Sequence, residues 1–254
     1  SAQMIYEIIL QAYGWARGWE VITGLGGNAR TFNKNSSTTV KETTLGETAY
    51  CLAIDIYGLN QVSEVGPENM SFIYPDGLTV INPDCIAVLK GAPHAETARR
   101  FVDFILSETA QKLWVIPRGR PGGPVRFDIP RMSILPDLYP LYPPGTGFID
   151  PFKTRMKLHY DAQLGTLRWN LVQTMVGSLI IDLHDDLVRA WRRLNDKYPA
   201  GSARDSAIRR LAAPPVSDEE ARRLAAGAWK NPAARAKWVL QWQEEAAKKY
   251  RSFK

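Results

Sequence analysis

Ile5, Ile8, Ile9 and Ala12 recur at intervals of three and four, the spacing that lines one face of an α-helix, and Gly14 supplies a stop. Trp15, Trp19 and Ile22 predict a second helix directly after it. The run Gly24-Leu25-Gly26-Gly27-Asn28 looks like a phosphate-binding loop, but such a loop follows a strand and opens a helix. Here it follows a helix, so it predicts a helix end that needs left-handed backbone. Residues 33–39 are polar and hold several helix starters, and a short helix through 40–45 would close at Gly46.

Residues 49–57 are almost all apolar and read as a strand buried on both faces. Its one charge, Asp55, is either solvated in the following loop or aimed at a ligand where parallel strands end. Residues 72–74, 78–81 and 86–89 predict short strands separated by Pro75-Asp76-Gly77 and Pro83-Asp84 turns. Ala98, Phe101, Val102 and Ile105 then make a helical stripe, and Ser107 caps a further helix through Trp114. Helices alternating with short buried strands predict an α/β sheet covered on both faces. Residues 117–151, rich in proline and glycine, predict a long irregular wrap, functional or pinned across a surface. Val172, Met175, Val176, Leu179, Leu183, Leu187 and Trp191 predict one long helix over 164–194. Ser217 and Glu220 form a capping box, and Trp238 and Trp242, one turn apart on the last helix, cover a core.

At 254 residues the chain holds two modest domains, and 45% hydrophobic against 23% charged residues excludes a disordered protein. No apolar run reaches the roughly 20 residues that span a bilayer. Cys51 and Cys85 are too few for a disulfide framework and read as free, buried thiols. The net charge of +6 favours an anionic ligand or partner, and basic residues crowd the last third. A nucleic-acid surface would need those cations on one face with aromatics between them, whereas Lys237, Lys248 and Lys249 mix with Glu244 and Glu245. No nucleic acid is expected. GxxxxGK[ST], HExxH, CxxC and GxSxG are all missing from the sequence, so neither an enzyme nor a cofactor is expected. His94, His159 and His184 are far apart, and the carboxylates near His184 (Asp182, Asp185, Asp186) do not share one face with it. The chain opens directly on a helix, without a signal peptide, which suggests a fragment of a longer protein.

One ordered set of segments carries more. Gly46-Glu47-Thr48-Ala49, Ala53-Ile54-Asp55-Ile56-Tyr57, Tyr74-Pro75-Asp76-Gly77, Asn82-Pro83-Asp84, Gly91-Ala92-Pro93 and the helix from Ala98 to Ser107 resemble the extracytoplasmic solute-binding proteins of ABC importers. Within them the chain is most similar to the ferric-iron-type branch. The resemblance covers roughly residues 1–130, with 150–195 like the C-terminal helical part of longer members. It implies a type 2 periplasmic-binding-protein-like fold of two α/β lobes, incomplete here, with an α-helical C-terminal extension. On that pattern residues 1–80 form most of the second, ligand-binding lobe and 81–130 return into the first. Residues 131–254 are then the wrap and the helices packed on the first lobe.

The function so implied is capture of a small anionic or metal-anion ligand in an interlobe cleft, outside the cytoplasmic membrane, for delivery to a permease. A solute sensor of the same fold is the alternative. The resemblance places an anion at Ser1 and Ala2, at the start of the first helix, with Asn35 and Ser36 contributing polar contacts. It also places Asp55 and Tyr57 at the cleft. Iron-binding members carry adjacent tyrosines there. This chain keeps one, Tyr57, as a candidate metal donor, so the two-tyrosine coordination is not expected. A lobe lacking its first strands would pair with a second copy by segment exchange, or with its own missing N-terminal part.

Overall fold

The computed structural model describes residues 2–253, with side chains from Gln3 onward. In chain order its α-helices are α1 Ala2–Tyr13, α2 Trp15–Asn28, α3 Ser36–Thr44, α4 Asp55–Val65, α5 Ala95–Leu106, α6 Glu108–Val115, α7 Ala162–Val176, α8 His184–Lys197, α9 Ser202–Ala212, α10 Asp218–Ala226 and α11 Pro232–Ser252. The chain divides into two units. One comprises residues 1–34, 76–78 and 158–254, the other 35–75 and 79–157.

The first unit is a helical bundle. Of the predicted stripe of α1, Ile9 is buried while Ile5, Ile8 and Ala12 are half-buried, Leu10 beside it is buried as well, and Gly14 turns the chain with φ 75°. Their core continues through Trp19, Ile22, Leu171, Met175, Leu187, Leu194 and Leu211. The glycine run does not end a helix in left-handed backbone. It lies within α2, where Gly26 and Gly27 are buried. A Cβ on Gly26 would meet Ile180 Cγ2 at 2.5 Å, and one on Gly27 would meet Trp191 Cγ at 2.5 Å. These glycines let α2 approach α8 and the turn before it, a use that spacing alone does not disclose. The predicted single helix over 164–194 is interrupted. A π-helical turn over Gly177–Ile181 closes with Asp182 N–H donating to the Gly177 carbonyl at 2.8 Å, and α8 restarts at His184. His184 is half-buried, with Nε2 3.0 Å from the Ala29 carbonyl and its ring edge-on to Phe32.

A buried ion pair network fastens four helices of this unit. Arg168 of α7 is 2% exposed and Glu7 of α1 is fully buried. Arg168 Nε donates to both Glu7 oxygens, at 3.0 and 3.1 Å, and Nη1 donates to Asp218 Oδ1 at 2.7 Å. Its guanidinium lies 5.2 Å from the Trp15 ring of α2. The Ser217–Glu220 capping box, present as the sequence predicts, fixes Asp218 at the first position of α10. After α10, Trp229 stacks on Trp238 and Trp242, so the tryptophan pair of α11 does cover a core.

The second unit differs from expectation most. Among the described residues there is no β-strand. The α/β fold class, with strands at 49–57, 72–74, 78–81 and 86–89, is therefore not what the structure has. Residues 49–54 run without regular structure, and Asp55 then opens α4, with Leu59 buried beneath it. A short apolar run fits either a buried strand or a helix, and a strand needs a neighbour for its N–H and C=O groups. None of these runs finds one among the described residues. Cys51 and Cys85 are free as expected, but Cys85 is exposed, because no sheet forms to bury it.

Of the helices of this unit, α5 and α6 follow the expectation, α3 begins earlier than expected, at Ser36, and α4 replaces an expected strand: α3 stops before Gly46 at φ 75°, and Ser107 caps α6 by accepting from Ala110 N–H. The stripe on α5 forms but stays uncovered, with Phe101 55% exposed. Burial alone holds little here, so polar anchors matter more. Gln111, fully buried on α6, accepts from the Ser133 hydroxyl at 2.8 Å and Ile134 N–H at 3.0 Å, pinning the proline-rich wrap.

Arg168→Met tests the network of the first unit. It strands a buried carboxylate, and urea unfolding should show a loss of about 3–5 kcal/mol. Adding Glu7→Leu should recover much of that loss, because the stranded charge is then gone. A single variant as stable as the parent would show that the network contributes nothing.

Candidate functional site

The six residues singled out from sequence are distributed as follows. Ser1 lies outside the described residues, and Ala2 is the first residue of α1. Asn35 caps α3: its Oδ1 accepts from Ser37 N–H at 2.9 Å and from the Ser37 hydroxyl at 2.8 Å. Ser36 is the first residue of that helix. The Asn35 acceptor is thus engaged by the cap, which leaves its amide N–H groups and the Ser36 hydroxyl to offer a ligand.

Asp55 and Tyr57 lie in the first turn of α4 rather than on a strand. Residues two apart share a face on a strand but stand roughly 200° apart on a helix, so the change of element separates them. Tyr57 is 41% exposed. Asp55 is half-buried, and its position at the helix start places a negative charge where unpaired N–H groups point. Its Oδ1 accepts from Ile56 N–H at 2.7 Å.

Around Asp55 the fold assembles tyrosines that sequence reasoning did not single out. The Tyr74 hydroxyl donates to Asp55 Oδ2 at 3.4 Å. Its ring meets Phe72 edge to face, centroids 4.9 Å apart, and the Phe72 ring lies against Gly58 of α4, where a Cβ would come within 2.2 Å of it. Tyr139, in a 3₁₀ turn over Pro136–Leu141, packs on Tyr142 and on Phe152. Tyr139 donates to the Ser133 carbonyl at 2.8 Å, whereas Tyr142 accepts from Ser133 N–H at 2.9 Å and donates to the Arg131 carbonyl. The signal was present in Tyr74-Pro75 and in the Tyr139 and Tyr142 pair of the wrap. Nothing in their spacing says that residues 65 apart converge.

Burial, then the Asp55 charge and hydrogen bond, holds the Tyr74 phenol well above the usual tyrosine range. Burial, then Tyr142, Asp150 and Asp55, does the same to Tyr139. Both are neutral phenols at physiological pH, able to donate a hydrogen bond but not to act as phenolate ligands without a strong cation to displace the proton. Among the described residues no three His, Cys, Asp or Glu side chains converge as a metal site. No helix is long and apolar enough to cross a membrane among those residues.

The arrangement beside α4 sets phenol hydroxyls and one carboxylate among aromatic rings, groups suited to hydrogen-bonding a small polar ligand. Comparison with known proteins agrees with that class: residues 1–124 match the family of bacterial extracellular solute-binding proteins. The resemblance drawn from the motifs is borne out over that segment. Among individual proteins, the chain is similar to the phosphoglycerate transport regulatory protein PgtC of Salmonella typhimurium, 27% identical over 132 residues, 51% of this chain and 32% of that protein. The protein of the same name from Salmonella typhi matches equally. The chain therefore spans about a third of the length of these curated relatives. No solved structure matches it.

The tyrosine cluster can be read by alkaline titration. Burial pushes the Tyr142 phenol up to about 12, partly offset by the Ser133 N–H it accepts. The folded value lies above the unfolded one of about 10, so the stability this group contributes is intact below that pH and is lost as pH rises toward the folded value. Tyrosinate absorbance should show a late-ionising group of tyrosines that shifts to the ordinary range in urea. Tyr142→Phe should remove one of them; a variant with an unchanged late group would contradict the burial of this phenol.

Proposed function

We propose that this chain is the ligand-holding part of an extracytoplasmic solute-binding protein that captures a small anionic solute and delivers it to the permease of an ABC importer. The observation that carries the reading is the family match over residues 1–124, the segment that holds the Asn35–Ser36 and Asp55–Tyr57 positions. The name of the Salmonella relatives, phosphoglycerate transport regulatory protein, supports a phosphorylated organic acid as the solute class. It also supports a second reading, in which the bound state reports to a signalling receptor instead of a permease.

In the proposed site the anion sits at the start of α1, by Ser1 and Ala2, where helix N–H groups and the macrodipole favour negative charge. The Asn35 amide and the Ser36 hydroxyl add donors, and Asp55 and Tyr57 line a cleft of the complete protein. The function is non-enzymatic and needs no cofactor. Metal-anion capture is the weaker variant, because Tyr57 has no tyrosine neighbour at residue 56.

The runs expected as strands, residues 49–57, 72–74, 78–81 and 86–89, belong to the same proposal. They gain ladder partners from a second copy by segment exchange or from the rest of the longer protein, and only then complete an α/β lobe. Light scattering on this chain should therefore show dimers or larger species. A stable monomer across concentrations would sink that part of the proposal.

Asn35→Asp tests the anion placement without destroying the helix start, since aspartate also caps α3. Calorimetry with 3-phosphoglycerate should show affinity reduced about tenfold or more, from the added like charge and the lost amide donors. Thermal unfolding should barely move. Unchanged affinity would place the anion elsewhere.

A further inference from the structure

The proposed ligand is an anion, yet the site holds a carboxylate. An anion gains nothing from Asp55 and is repelled by it, so the solute must present something else to that residue. Asp55 is half-buried, which makes an unsatisfied charge costly. Its Oδ1 takes the Ile56 N–H at 2.7 Å, and its Oδ2 faces the Tyr74 hydroxyl at 3.4 Å, a long bond that leaves acceptor capacity on both oxygens.

Tyr74 is itself held in place. Its ring stands at 82° to that of Phe72, which fills the space over Gly58. Its phenol stays protonated, so its hydroxyl presents a hydrogen to Oδ2. The carboxylate is thereby oriented before any ligand arrives, with one flank occupied and the rest able to accept.

We infer that Asp55, oriented by Tyr74, recognises a hydrogen-bond donor on the solute, a hydroxyl or an ammonium group, at the end of the molecule away from its anionic group. This rests on the solute-binding reading and adds to it a second recognition element of opposite character. Asp55 selects by accepting from the solute, and Tyr74 is a positioning residue that acts through Asp55. A solute with an anionic group alone is discriminated against, because binding it desolvates Asp55 without a donor to replace water.

Three probes sharing a phosphate separate the cases: glycerol 3-phosphate carries hydroxyls, phosphoethanolamine an ammonium, and propyl phosphate neither. Calorimetry on the parent chain should give tighter binding of one of the first two than of propyl phosphate, by roughly tenfold or more, as expected for a hydrogen bond to a charged group. Which of the two binds tells hydroxyl from ammonium. Tyr74→Phe keeps the ring contact with Phe72 and should bring that ratio toward one, whereas a merely structural role would weaken all three probes alike and leave the ratio unchanged. Asp55→Asn should also lower the ratio, more for the ammonium probe than for the hydroxyl probe. Equal binding of all three probes by the parent, or a ratio unmoved in both variants, overturns the inference alone. If the parent binds none of them, the phosphorylated-solute reading falls and this inference with it.

Discussion

Arg168 cannot sit in the middle of a helical bundle unless its charge is matched on every side, and the arrangement of the first unit follows from that requirement. Glu7 takes the Nε edge of the guanidinium and Asp218 takes Nη1, so one side chain of α7 sets where α1 and the start of α10 must lie. The Trp15 ring against the guanidinium brings in α2. Its Nε1 donates to the Val216 carbonyl, which draws the loop before α10 into the same cluster. Ions buried this way need not raise stability over an apolar core of equal volume, but they penalise every alternative packing in which one partner is left alone. Around this fixed point the apolar residues of α2, α7 and α8 close at contact distance, helped by Gly26 and Gly27.

The second unit solves the opposite problem. It has few buried side chains and runs of apolar residues that remain exposed, among them Leu45, Tyr50, Ile73 and Leu89. Its order comes from directional contacts instead. Gln111 holds Ser133 and Ile134, and it donates to the Ile105 carbonyl; the Ser133 backbone in turn meets Tyr139 and Tyr142. The wrap is therefore a bracket that carries Tyr139 toward α4, and the aromatic cluster beside Asp55 depends on it.

That geometry gives the proposed solute-binding role a specific chemical content. Helix starts and an amide favour an anion; a carboxylate steadied by a neutral phenol favours a donor. The proposed site combines the two and so calls for a small solute with an acid group at one end and a hydroxyl or amine at the other. The family match covers the residues that supply both features, Asn35 and Ser36 on α3 and Asp55 on α4 with Tyr74 beside it, whereas Tyr139 lies beyond it.

Much of the helical framework was legible in the sequence, because helices are decided locally. The stripe of α1, the stop at Gly14, the Ser107 cap and the Ser217–Glu220 box are each written within a few residues. The family resemblance was legible too, as ordered short motifs. What depended on partners distant in the chain was not. Residues 49–57 have a composition that suits a strand, but a strand is a property of two segments, and without a second one Asp55 starts a helix. The glycines of α2 announced freedom of backbone, while their use is close approach to Trp191, some 160 residues on. Asp55 and Tyr57 were found by motif, but Tyr74 and Tyr139 join Asp55 only through tertiary contacts. The sequence by itself determined the locally written stops and caps, at Gly14, Gly46, Ser107 and Ser217, and which family the first half resembles. The tertiary structure alone decided which polar groups face each other, because convergence across 19 to 161 residues leaves no local periodicity to read.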